Sequence, residues 1–303
     1  MDWFNKAETT TLKGICIILV FLHHFTQYIG YQNYYTFFMV IGPLAVDIFF
    51  FIAGYTTILQ LEKSSPAQLR YFLYNRALRV YLPITVFSLP YNNFLSGLLY
   101  MYIVSWIAYR FLESKLRMPF IVAMNILFIV ICILLRIDIW WYDRIIPFCF
   151  GALFAVHKDK MATMLNYKVL RYSIFVFSTI GILFCGKEMG KWTQLYLAEA
   201  ILLSFFACIF VASFYFIVDF ANKPLNFLGS ISFEFFILHQ FLFILLDKVL
   251  ANHYLLLVIS FIVSTISAYL LYTLWNKMLK RFRLIKCKRI HTLRCFAVQK
   301  DGL

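Results

Sequence analysis

The sequence predicts an all-α polytopic membrane helical bundle of about ten transmembrane helices, with the N- and C-termini cytoplasmic. Three observations predict it. Hydrophobic residues fill 63% of the 303 positions and charged residues only 14%, against roughly half and about a quarter in soluble domains. Stretches without Asp, Glu, Lys or Arg run over 14–46, 80–109, 200–218 and 249–276. Lys and Arg gather on alternate connections. The 35 Phe and 20 Tyr exclude disorder. Seven Cys without a paired framework argue against a secreted disulfide scaffold.

Only helices and closed barrels satisfy the backbone in lipid. The apolar runs lack the alternation of barrel strands, so they are helices. The expected spans lie near 12–30, 40–61, 78–90, 94–112, 119–136, 144–157, 170–186, 195–219, 230–250 and 254–277. The first is too long and too late for a signal peptide and leads directly into the second. The third and sixth are short, which suggests a break or a tilt. Asn92 and Asn93, after Pro90, mark the turn between the third and fourth.

Orientation follows from the cations. On the side of the N-terminus fall Lys6, Lys13, Lys63, Arg70, Arg76, Arg79, Arg110, Lys115, Arg117, Lys158, Lys160, Lys168, Arg171, Lys223 and the C-terminal basic run. The other side holds only Arg136, Arg144, Lys187, Lys191 and Lys248. This asymmetry puts both termini in the cytoplasm. It also accounts for the net charge of +14 without a nucleic-acid partner. Residues 1–280 read as one transmembrane domain and 281–303 as a basic cytoplasmic tail, suited to anionic membrane lipids. No nucleotide-binding or zinc-protease motif is present. Cys287, His291 and Cys295 share helical spacing, but zinc wants four ligands, so no metal is expected.

Ionisable groups within spans are expensive and point to function. They are His23 and His24 in the first span, Asp47 in the second, Glu199 at the start of the eighth, and Glu234 and His239 in the ninth. Lys13 and His24 are eleven positions apart, about three turns plus 20°. They share a face that should point into the bundle, with Lys13 at the cytoplasmic edge; His23 is rotated by about 100° and need not. Asp47 lies about two turns into the second span, at a depth like that of His24. A carboxylate there would fix the imidazole tautomer and raise its basicity, as in general-base sites. The plainer reading is two groups hydrogen-bonded in the core. Arg76 and Arg79, three apart, suit phosphates; the positive-inside rule accounts for them equally well.

Taken together, these residues resemble the acyltransferase-3 family of integral membrane O-acyltransferases. LKGICIILVFLHH matches its Arg, ten residues, His pattern, with Lys13 in the Arg place and His24 as the His. VDIFFFIAGYTTIL matches its Asp-Phe-Phe…Ser-Gly-Tyr segment through Asp47, Gly54 and Tyr55, with Ala53 in the Ser place. YNRALRVYLP matches Arg-x-x-Arg before Pro through Arg76, Arg79 and Pro83. LGSISFEFFILHQFLF matches its C-terminal segment through Gly229, Ser232 and His239, with Glu234 where an uncharged residue is usual. Lys13 keeps the charge but loses the guanidinium fork.

The resemblance implies transfer of an acyl group, usually acetyl from cytoplasmic acetyl-CoA, to a hydroxyl of a glycan or lipid-linked saccharide at the cell membrane. Arg76 and Arg79 would meet the CoA phosphates. His24, oriented by Asp47, would act as general base or transient acyl carrier, and Lys13 would steer the donor or stabilise an oxyanion. Glu234 and His239 would line the acceptor path, although His239 fits a core role equally well. The competing class is a proton-coupled transporter or flippase for a small anion or lipid-linked sugar, which uses the same residue types. It predicts two related halves with broken helices, and no such symmetry is visible. A catalytically dead sensor or scaffold is a third reading, kept open by the departures at Lys13 and Ala53.

Overall fold

The computed structural model describes residues 5–30, 35–81, 93–188, 195–218 and 222–300. Every regular element among them is helical. The chain forms two compact units, Met1–Ser230 and Ile231–Leu303.

In the first unit α1 spans Lys6–Ile29. It opens with a capping box: Asn5 Oδ1 accepts from the Glu8 N–H at 3.0 Å and Glu8 Oε2 accepts from the Asn5 N–H at 2.9 Å. It closes at Gly30, whose φ of 65° suits a residue without Cβ. Next come α2 (Tyr35–Glu62) and α3 (Pro66–Arg76), the latter capped by Ser65 and continued by a π-helical turn, Ala77–Tyr81. Then follow α4 (Asn93–Phe111), α5 (Ser114–Leu134), a 3₁₀ turn (Ile139–Trp141) and α6 (Ile146–Val156). The unit ends with α7 (Lys158–Asn166), α8 (Lys168–Glu188), α9 (Tyr196–Tyr215) and α10 (Lys223–Ser230). The second unit holds α11 (Ser232–Asp247) and α12 (His253–Lys300).

Among the described residues, seven stretches are long and apolar enough to cross a membrane: Lys6–Ile29, Val40–Glu62, Ser114–Leu134, Ile139–Val156, Lys168–Lys187, Tyr196–Phe214 and His253–Lys280. This is a polytopic helical membrane protein. The expected third span near 78–90, with Pro83, Pro90 and Asn92, lies almost wholly outside the described residues. The expected ninth span, near 230–250, holds α11, which a turn at Ile231 sets off from α10. The tail is not separate from the last span in its backbone, because α12 continues to Lys300. The side chains of 281–300, including Cys287, His291 and Cys295, lie outside the described residues.

Two glycine pairs set how the helices of the first unit approach. A Cβ at Gly54 would overlap the Phe148 carbonyl, and one at Gly151 would overlap the Phe51 carbonyl. Each glycine meets the carbonyl three residues before the other, and Asp47 meets Arg144 seven residues before both, so α2 and α6 run parallel. A Cβ at Gly14 would overlap the Leu225 carbonyl, and one at Gly229 the Thr10 carbonyl. Each glycine again meets the carbonyl a turn before the other, and Asn226 and Ala7 meet on the N-terminal side of both, so α1 and α10 also run parallel. Lipid gives helices no hydrophobic drive to associate, and small residues that admit backbone contact replace it. Asn226 Nδ2 donates to the Ala7 carbonyl at 2.8 Å and Tyr215 to Glu8 Oε2 at 2.7 Å, which ties down the start of α1.

Candidate functional site

Arg76 and Arg79 both lie within electrostatic reach of the Lys13 ammonium. Lys13 and Arg76 are half-buried and Arg79 is exposed. Arg76 is held in place: Nη2 donates to Gln60 Oε1 at 2.9 Å, and its guanidinium carbon sits 4.7 Å from the Tyr102 ring centre and 5.3 Å from that of Phe72. Trp106 Nε1 donates to the Leu69 carbonyl at 2.7 Å and so fixes α3 on α4. Arg79 lies in the π turn rather than on a continuous α-helix. The spacing of one α-helical face therefore does not carry across Arg76 and Arg79, and proximity to Lys13 unites them instead. Among the described residues none of the three has a carboxylate within ion-pair distance. Three cations gathered without an acid create a positive potential that suits an anion with several oxygens, such as a phosphate.

His24 is half-buried on α1. Its Nδ1 lies 3.1 Å from Gln27 Oε1. An amide oxygen only accepts, so Nδ1 carries the proton and Nε2 the basic lone pair. The more deeply buried imidazole is His23, at 9% exposure. Its ring packs on α2 at Gly42, where a Cβ would overlap the ring. The expectation that His23 need not face the bundle gives way, since it is the more enclosed of the two rings. The reason lies in α2, where the missing side chain at Gly42 opens a place for one ring.

Asp47 is fully buried on α2, but its partners differ from the expected one. Oδ2 accepts from Arg144 Nη1 at 3.2 Å and Oδ1 from the Ser204 hydroxyl at 3.0 Å. Arg144 Nε donates to Asp143 Oδ2 at 3.2 Å, and the Tyr196 hydroxyl donates to the same oxygen at 3.3 Å. The expectation that Asp47 orients His24 gives way to a charge network joining α2, the start of α6 and α9. Gln27 does for the His24 tautomer what the sequence assigns to Asp47. Arg144 is no loop cation but 8% exposed, and a buried Arg must be answered by carboxylates. Sequence reasoning passed over Asp143, Arg144, Ser204 and Tyr196. The available signal was an Asp-Arg pair directly ahead of the apolar run IIPFCFGALFAV. Glu199, one turn into α9, is half-buried.

In the second unit, His239 is 1% exposed and Glu234 is buried. His239 Nδ1 lies 2.8 Å from the Phe236 carbonyl and 3.2 Å from that of Phe235, so Nδ1 carries the proton. The rings of Phe235, Phe236 and Phe243 surround the imidazole at 5.7–5.9 Å.

A profile of the acyltransferase-3 family, described as an acyltransferase domain, matches residues 8–100 and 94–273. No curated protein and no solved structure matches the chain.

Proposed function

The chain belongs to the acyltransferase-3 family and is a membrane acyltransferase; on that premise we propose that it moves an acyl group, acetyl in the simplest case, from cytoplasmic acyl-CoA to a hydroxyl of a cell-surface or exported glycan. The observation that carries this reading is the cluster of Lys13, Arg76 and Arg79, without an acidic partner among the described residues. A CoA thioester presents phosphates at one end and a reactive carbonyl at the other. The cations take the phosphates, and Arg76, pinned by Gln60 and two aromatic faces, offers its fork in a fixed plane.

His24 supplies the base. With Nδ1–H donated to Gln27, Nε2 takes the proton of the acceptor hydroxyl as its oxygen attacks the thioester carbonyl. The C–O bond forms, the C–S bond breaks, and the proton on Nε2 passes to the departing thiolate. Lys13 belongs with the phosphates rather than with the oxyanion, since it shares the charge field of Arg76 and Arg79. Lipid-linked saccharides are the acceptor class that reaches a membrane-embedded base, and the plasma membrane, lined with anionic lipids, is the compartment.

Purified protein incubated with radiolabelled acetyl-CoA and a glycan acceptor tests the reading. Wild type transfers label and His24→Ala does not. Absence of donor binding and turnover in wild type, together with an ion-gradient-dependent flux in liposomes, would replace the enzyme with a carrier.

A further inference from the structure

We propose that His23 is a positioning residue that buttresses the catalytic ring of His24 through a slot in α2; this rests on the reading of His24 given above. The geometry leads to it. The two imidazoles meet edge to face, with centroids 5.1 Å apart and planes at 62°, as adjacent rings also do at Phe205–Phe206 and Tyr215–Phe216. What sets this pair apart is that one of its rings is fixed by another helix. His23 itself is locked. Its Cγ, Cδ2 and Nδ1 occupy the space where a Cβ of residue 42 would stand, so its ring lies against the backbone of α2.

The slot has a sequence origin. Gly42 removes the side chain, and the adjoining Pro43 removes a backbone N–H from the same turn. The proline site is also where helix neighbours and ordered groups are used to re-satisfy the backbone in membranes. A bulky residue at 42 would expel the His23 ring. The His24 ring would then lose the face that limits its rotation. His24 is half-buried and hydrogen-bonded to Gln27, so a ring contact with His23 and a bond to Gln27 both restrain it. His23 touches no reacting atom in this account; it acts through His24.

The test compares His23→Ala, His23→Phe and Gly42→Ala in purified, monodisperse protein. One readout is turnover with acetyl-CoA. His23→Ala and Gly42→Ala lower kcat on the order of tenfold to a hundredfold, the range for misplacing a catalytic group, and leave the donor KM unchanged. His23→Phe, which keeps a ring in the slot, recovers most of the rate. The second readout needs no turnover: the rate of diethyl pyrocarbonate modification of His24, followed by peptide mass spectrometry. It rises severalfold in His23→Ala and Gly42→Ala and stays near wild type in His23→Phe. An unchanged His24 modification rate in both His23→Ala and Gly42→Ala overturns the buttress, whatever the activity. A His23→Phe variant as slow as His23→Ala also overturns it, because a ring would then not suffice. Inactive wild type with the labelling pattern intact strikes at the acyltransfer role of His24 and leaves the buttress standing.

Discussion

Arg144, at the head of α6, donates through Nη1 to Asp47 of α2 across 3.2 Å, and both side chains are shielded from solvent. The two residues lie 97 positions apart in the chain. Each stands two turns ahead of a glycine, Gly151 and Gly54, at which the same two helices cross in backbone contact. Register and charge pairing are thus one arrangement. The parallel crossing puts the guanidinium level with the carboxylate, and Asp143, Tyr196 and Ser204 complete the network.

Breaking this pair is expected to be severe, because losing Arg144 leaves two buried carboxylates without their cation and losing Asp47 leaves Arg144 with Asp143 only. Arg144→Gln or Asp47→Asn should lower stability by about 3–5 kcal/mol, read as a fall in the thermal unfolding midpoint in detergent. The double variant Asp47→Asn/Arg144→Gln should lose clearly less than the two single losses combined. Strict additivity would show that the pair does not couple.

The crossing itself predicts a second result. Gly54→Ala and Gly151→Ala each place a methyl against a backbone carbonyl that cannot swing away. Each should destabilise by about 1–3 kcal/mol, seen as an earlier transition in a detergent melt. A wild-type midpoint in both would mean that the helices do not approach as described.

At the cation cluster, Arg76→Ala should raise the KM for acetyl-CoA roughly tenfold, the loss of a charge-assisted contact worth about 1.5 kcal/mol, with kcat nearly unchanged. Arg76→Lys should recover only part of it, because a point charge cannot replace the fork set over Tyr102 and Phe72. Steady-state kinetics at two salt concentrations checks this, and the effect shrinks at high salt.

Gln27 gives the fourth prediction. Gln27→Leu removes the acceptor that sets the His24 tautomer. A hydrogen bond of about 1 kcal/mol corresponds to roughly fivefold in rate, and the loss should fall on kcat rather than on donor KM. Asp47→Asn, in contrast, should act mainly through stability. Measuring kcat and the melting transition for both variants separates the two roles.

Much of the molecule was legible in its sequence, residue by residue. The spans over 12–30 and 40–61 follow from uninterrupted apolar runs, and α1 and α2 cover them. Lys13, Arg76 and Arg79 were marked by charge at the edge of such runs. The pairing of Asp47 was misjudged because depth along a helix does not specify rotation about its axis. His24 and Arg144 are both compatible with Asp47 in depth, and only the side that α2 turns toward α6 decides between them. His23 was undervalued for a similar reason: nothing in α1 reveals that Gly42 of the next helix leaves a gap.

Composition alone made this chain a helical membrane protein, because transfer of apolar side chains to lipid is a property each segment carries by itself. Which buried groups meet belonged to the tertiary structure. Contacts between helices depend on how closely their backbones approach and at what rotation. Those are set by glycines on separate segments, each of which is uninformative until its partner is in place.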